Sequence, residues 1–170
     1  MHFFKNKNIN IQNLYNKIVI LTRKNFFYKD FGLNDTFSNR IYLTFFHFSF
    51  ILIVLKEKEN KKEINQNMFD FFMQQIELNM REIGYGDVTV NKNMKKLINL
   101  FYEILINCKK WYFNDLLKKD EFLLKFFAKK PTQKINVEKT IDYFDKFAFF
   151  IKDIPLNLLS KGVFEFEYKI

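Results

Sequence analysis

The side chains with chemistry to offer are few, and three of them sit together. Arg81, Glu82 and Asp87 bracket the turn Gly84-Tyr85-Gly86. Acid–base catalysis by the two carboxylates would require both to face a substrate pocket, and nothing in the surrounding sequence suggests one. The two glycines do not make a nucleotide loop, because dinucleotide motifs follow a strand and carry a third glycine. His47 lies in the apolar run Ile41–Leu55, and the only other histidine, His2, is at the N-terminus. That pair is too sparse for haem ligation or a metal centre. Cys108 is the only cysteine, so it reads as a small apolar core residue and points to a reducing compartment. The sequence implies no cofactor, and the chemistry on offer is that of a binding protein rather than an enzyme.

The charge balance narrows the partner. A net charge of +9 with a pI near 9.5 favours an acidic partner, a ribosome or anionic lipid. Arg23, Arg40 and Arg81 are the only arginines, however, and the rest of the basic charge is lysine. Sequence-specific reading of nucleic acid relies on arginine's bidentate fork, so that class is set aside. The N-terminus carries neither a signal-peptide core nor an Arg/Ser-rich transit segment, which leads us to expect a cytoplasmic protein.

These residues must be positioned by helices. Among 170 residues there are four glycines and two prolines, too few for a turn-rich β fold, and 48% of residues are hydrophobic. We expect an all-α single domain of about six helices in a compact bundle, with residues 1–30 as an N-terminal helical segment and 31–170 as the main body. The first helix spans Ile9 to about Lys29, with Ile11, Leu14, Ile18 and Leu21 on one stripe, and closes near Gly32. Asp35 is the expected N-cap of the next, which runs to about Glu57. Its 15-residue uncharged stretch Ile41–Leu55 falls short of the ~20 residues of a spanning helix, so a buried core helix is expected. The charged run Glu57–Glu63 leads to a third helix ending at Gly84, with Phe69, Phe72, Ile76, Met80 and Ile83 at steps of three, four, four and three.

A fourth helix, about Val90 to Lys110, is capped by Thr89 and buries Met94, Leu97, Ile98, Phe101, Leu105 and Cys108. A fifth spans about Asn114 to Ala128 and stops before Pro131. A sixth is capped by Asn136 and ends before Pro155. Val163–Tyr168 alternates apolar and polar residues without a partner strand, which predicts an extended tail lying on the helices.

The joint between the third and fourth helices is open to two readings. Gly84 and Gly86 can close tight bends and Asp87 can bond the turn's own amides, which makes a well-capped corner. Glu82, however, sits against the negative end of its helix, where a carboxylate calls for a partner. Lys92, Lys95 and Lys96 at the start of the next helix are the candidates. His47 is equally open: a hydrogen-bonded core histidine, or a ring oriented by Asp87 or Glu82.

Glu77–Tyr102 (ELNMREIGYGDVTVNKNMKKLINLFY) resembles the hallmark of the ubiquinol–cytochrome c chaperone family, an R-E-x-G-x-G-D string followed by a lysine-rich helix start and F-Y. Asp35-Thr-Phe37-Ser-Asn-Arg40, before the apolar helix with His47, resembles the family's upstream block. The resemblance covers about Phe31 to Trp111. Met80 stands where the family has leucine, and Glu103-Ile104 replace its Gly-Arg, removing one basic residue. The resemblance implies an assembly chaperone for respiratory complex III that holds newly made cytochrome b until haem and other subunits are in place. It also implies work beside the ribosome with a small partner subunit. For a bacterial-type member, it implies peripheral contact with the anionic inner face of the inner membrane. The partner-binding set would then be Asp35, Phe37, Arg40, His47, Arg81, Glu82, Gly84, Gly86, Asp87, Lys92, Lys95 and Lys96.

Overall fold

The computed structural model describes the backbone of residues 2–59, 62–128 and 133–170, and side chains within 10–59, 65–128 and 133–170. The His2 side chain, Pro131 and the centre of the Glu57–Glu63 run lie outside the described residues. The helices are α1 (His2–Thr22), α2 (Asn25–Lys29), α3 (Phe37–Lys58), α4 (Lys62–Glu82), α5 (Asp87–Tyr112), α6 (Lys119–Phe127), α7 (Val137–Asp153) and α8 (Leu156–Leu159). The six long segments correspond to the six expected, α2 and α8 are short additions, and no strand occurs among the described residues.

Helix α3 is the axis of the bundle, touching α1, α4, α5, α6, α7 and α8. Every residue from Ile41 to Leu55 is buried, so the apolar run needs no amphipathic stripe because neighbours surround it. This helix is apolar and long enough to cross a membrane, yet 89% of its most hydrophobic window is covered by the protein itself. It is a core helix. Its aromatic rings interlock with those of its neighbours: Phe48 stacks on Phe72 at 3.8 Å, Phe45 meets Phe101, and Phe46 packs on Phe122, Phe127 and Phe144.

Two polar residues near the start of α3 find partners within the helix or just before it, whereas the buried Ser49 hydroxyl has none among the described residues. Thr44 donates its hydroxyl to the Arg40 carbonyl at 2.9 Å, and the Asn39 amide donates to the Asn34 carbonyl at 2.8 Å. The predicted stripe of α1 is buried in full, with Ile11, Leu14, Ile18 and Leu21 packed on the core.

Several boundaries differ from expectation for local reasons. The first helix breaks after Thr22, whose hydroxyl turns back to the Val19 carbonyl while Tyr28 Oη donates to the Thr22 carbonyl. Gly32 does adopt a left-handed φ of 75°, but it follows α2 rather than one continuous helix. Thr36, not Asp35, caps α3, accepting from the Asn39 amide at 3.2 Å. Helix α5 starts at Asp87 with Gly86 as its N-cap, so Thr89 lies inside the helix.

At its other end α5 runs on to Tyr112 and closes through Asn114. This residue takes φ 55°, and the Asp115 N–H reaches the Lys110 carbonyl at 2.8 Å. Asn114 therefore ends one helix instead of starting the next, and α6 begins only at Lys119. Asn136 caps α7 as expected, accepting from the Lys139 amide at 3.0 Å.

Candidate functional site: the helix joint and its groove

The chain leaves α4 through a paired hydrogen-bond closure. The Gly84 N–H reaches the Arg81 carbonyl at 3.0 Å and the Tyr85 N–H the Met80 carbonyl at 3.1 Å. This closure places its first donor in the left-handed region, and Gly84 has φ 96°. No atom lies within 4 Å of where a Gly84 Cβ would stand, so the constraint is backbone conformation alone.

Gly86 is different. Its φ of −70° is open to any residue, and again nothing occupies the Cβ position. The fold therefore requires a glycine at 84 and does not require one at 86. We expect Gly84→Ala to lower stability by about 1–2 kcal/mol in urea melts. Gly86→Ser, which supplies a good N-cap, should stay within about 0.5 kcal/mol of the parent.

Arg81 is the hub of the charges here. Its guanidinium holds Glu77 at 2.8 Å and also bonds Asp87 across the turn, so it braces α4 to the first residue of α5. These two carboxylates hold the guanidinium above its usual range. Asp87 thus pairs with Arg81 rather than with the turn's amides. Glu82 makes no salt bridge with Lys92, Lys95 or Lys96, which lie exposed along the outer side of α5. Glu82 turns the other way, into a groove.

That groove runs between α1, α3 and α4 and measures about 610 Å³. Val19, Ile20, Phe37, Ile41, Ile76 and Ile83 make its apolar surface, and Arg23, Arg40 and Glu82 supply charge. Asp35 grips Arg40 with two bonds of 2.7 and 2.8 Å, fixing the guanidinium; Arg40 in turn holds the Asp35 carboxyl below the usual carboxylate range. Asn79 donates to Tyr15 Oη at 3.0 Å within the groove lining, and burial pushes that phenol up. Ile20 is 55% exposed and Ile83 56%, with Tyr85 and Val88 also exposed at the joint. These side chains leave apolar surface open beside the groove.

The structure thus gathers Asp35, Phe37, Arg40 and Glu82 around the groove, with Arg81, Gly84, Gly86 and Asp87 at the adjoining turn. His47 is elsewhere. It is fully buried, with Nδ1 2.6 Å from the Leu43 carbonyl and Nε2 2.7 Å from Tyr143 Oη. A carbonyl can only accept, so Nδ1 carries the proton and Nε2 accepts from the Tyr143 hydroxyl. Neither Glu82 nor Asp87 orients the ring, which is the core histidine of the two readings. The residues not anticipated are Ile20 and Arg23. Ile20 falls off the buried stripe of α1, and Arg23 is one of only three arginines; together these were the available signal.

Residues 29–126 match the ubiquinol-cytochrome C chaperone family. The chain belongs to that family. The matched region begins in α2 and ends in α6, so it takes in the joint and the whole of α3 while leaving α1 and α7 outside. The fold is also similar to the crystal structure of the Cbp3 homolog from Brucella abortus. That similarity has a TM-score of 0.78 and 22% identity, and covers 98% of this chain and 94% of the other. No curated protein matches the chain. Where family members carry Gly-Arg after the F-Y pair, Ile104 of this chaperone is fully buried in the core and Glu103 pairs with Lys125 of α6.

Proposed function

We propose that this protein is an assembly chaperone of ubiquinol–cytochrome c reductase that holds newly made cytochrome b in the groove beside the joint. The observation that carries this reading is the groove itself: open apolar side chains at Ile20 and Ile83, flanked by Arg23, Arg40 and Glu82, next to the family's signature turn. An apolar client helix would cover the two isoleucines, and the fixed charges would set its register. Holding needs no catalysis. Release follows when haem or a further subunit binds a client state for which the chaperone has lower affinity. Gly86 fits this reading, since a residue without a side chain on an open face lets a partner approach the backbone. The experiment is recovery of cytochrome b with tagged protein from cells making the labelled subunit. Recovery supports the reading, and its absence sinks it.

A second contact is favoured by the outer side of α5. Lys92, Lys95, Lys96, Lys109 and Lys110 are exposed there, with Asn99, Tyr102 and Ile106 between them and no exposed acid from Lys92 to Lys110. A lysine face with interspersed apolar side chains suits an anionic membrane surface, where each lysine contributes about 1 kcal/mol before screening. This would place the chaperone peripherally at the inner face of the inner membrane. It should float with vesicles containing phosphatidylglycerol and not with neutral ones. Reversing Lys92, Lys95 and Lys96 to Glu should weaken that binding at least about tenfold. Equal flotation of wild type and variant would remove the assignment.

A further inference from the structure

The segment after α8 is built like a bound peptide. Gly162, at φ 67°, lies so close to α1 that a Cβ would meet Leu14 Cα at 2.6 Å, and from there the chain runs extended over α7 and α2. Phe164, Phe166 and Tyr168 turn inwards at alternate positions. Phe166 meets Phe147 at 5.3 Å and Tyr143 at 5.5 Å, while Tyr168 packs between Tyr143 and Phe26 at 5.3 and 5.5 Å. Glu165 and Glu167, between them, stay exposed; Glu165 pairs with Lys17 at 2.6 Å. Lys24 stands at the same rim, and Lys146 lies 5.1 Å over the Tyr168 ring.

The backbone takes almost no part. After the Val163 N–H, which reaches the Leu158 carbonyl at 3.0 Å, no backbone–backbone hydrogen bond holds the segment among the described residues. Side chains alone seat it, in an aromatic trough with a mainly basic rim, where Asp142, paired with Lys146, accepts from Tyr168 Oη at 2.8 Å.

We propose that this trough is a docking surface for an extended protein segment alternating aromatic and acidic residues, which the protein's own tail occupies in cis. The seated tail defines the partner: rings at every second position fill the trough, and the acids between them face a rim where Lys17 pairs with Glu165 and Lys24 stands nearby. Because no ladder of backbone bonds has to break, exchange of the segment from Phe164 onward requires only side-chain contacts to be replaced. A segment in trans can then take its place. This rests on the chaperone reading for its biological use, but the trough's selectivity stands apart from whether cytochrome b is the client.

The probe is a fluorescein-labelled peptide with the sequence of residues 163–169, Val-Phe-Glu-Phe-Glu-Tyr-Lys, read by fluorescence anisotropy. Phe166→Asp with Glu165→Lys in the full chain should free the trough and bind the peptide at least about tenfold more tightly than wild type. A scrambled peptide should not bind. Absence of binding by this variant with its helical circular dichroism intact, or equal binding of the scrambled peptide, overturns the proposal.

A second comparison decides the matter should that variant fail to fold. Asn25→Cys with Lys169→Cys, beside the Phe26–Tyr168 contact and outside the basic rim, can be joined by a short bismaleimide, since Cys108 is buried away from the reagent. Peptide binding before cross-linking and its loss afterwards support the trough; binding in neither form or equally in both overturns it. Cytochrome b recovery, measured separately, reports on the chaperone reading alone.

Discussion

As the pH falls from about 7 to about 4, the protein should lose about 3 kcal/mol of stability through His47 alone. The imidazole is sealed in the core, and burial lowers its pKa from 6.5 to about 4, with the Leu43 carbonyl opposing only in part. The folded state therefore keeps the ring neutral where the unfolded chain would protonate it. Its contribution is present in full above pH 6.5 and is lost progressively as pH drops towards the folded value. Among the described residues no carboxylate touches the ring to offset a buried charge; its polar contacts there are Leu43 and Tyr143.

Asp35, Asp142 and Glu165 also titrate below their usual values, each held by a basic partner. Their stabilisation is present above the unfolded carboxylate pKa and fades as pH falls through the folded ones. Asp35 and Glu165 are exposed and the Asp142 side chain is about half so, which makes the effect slight and places it at the acid end. Urea midpoints of wild type and His47→Gln across this range isolate the histidine. The wild type should fall steeply between pH 6.5 and about 4 while the variant stays nearly flat. Parallel curves would mean that His47 is not the acid-sensitive group.

The largest functional effect should come from the groove. Ile20 and Ile83 are each more than half exposed, so client contact would remove that remaining apolar surface from water. Covering half an isoleucine contributes about 1 kcal/mol, and a carboxylate put in its place must be desolvated as well. Ile20→Asp combined with Ile83→Asp should therefore weaken client binding by about 2 kcal/mol or more, which is about thirtyfold. Since both side chains already face solvent, the fold should tolerate the change. Titration of each protein with cytochrome b held in detergent would show it, with helical content as the control. An unchanged affinity would exclude the groove as the client surface.

The sequence revealed the helices better than the site. The stripe of α1, the core character of Ile41–Leu55 and the closure at Gly84 were legible because apolar spacing and a left-handed glycine are local signals. Caps were less so: Asp35 and Thr36 are both good candidates, and only the bidentate grip on Arg40 removes Asp35 from that role. Asn114 misled for a related reason, as an asparagine can open a helix or close one through a left-handed turn.

The position of Glu82 against its helix end suggested a partner among Lys92, Lys95 and Lys96; no such bridge forms, and Glu82 lines the groove instead. That depended on how α1 lies beside α4, and this long-range contact leaves no trace in local spacing. For the same reason His47 could not be assigned from sequence, because Tyr143 lies on α7, far along the chain.

The most direct test of the chaperone account is site-specific photo-crosslinking in cells making cytochrome b. A photoreactive phenylalanine is placed either at Ile83, beside the groove, or at Leu116, which is fully exposed in the loop at the other end of α5. The account predicts a cross-link to newly made cytochrome b from position 83 and none from position 116. Cytochrome b cross-linked from 116 alone, or equally from both, would contradict it.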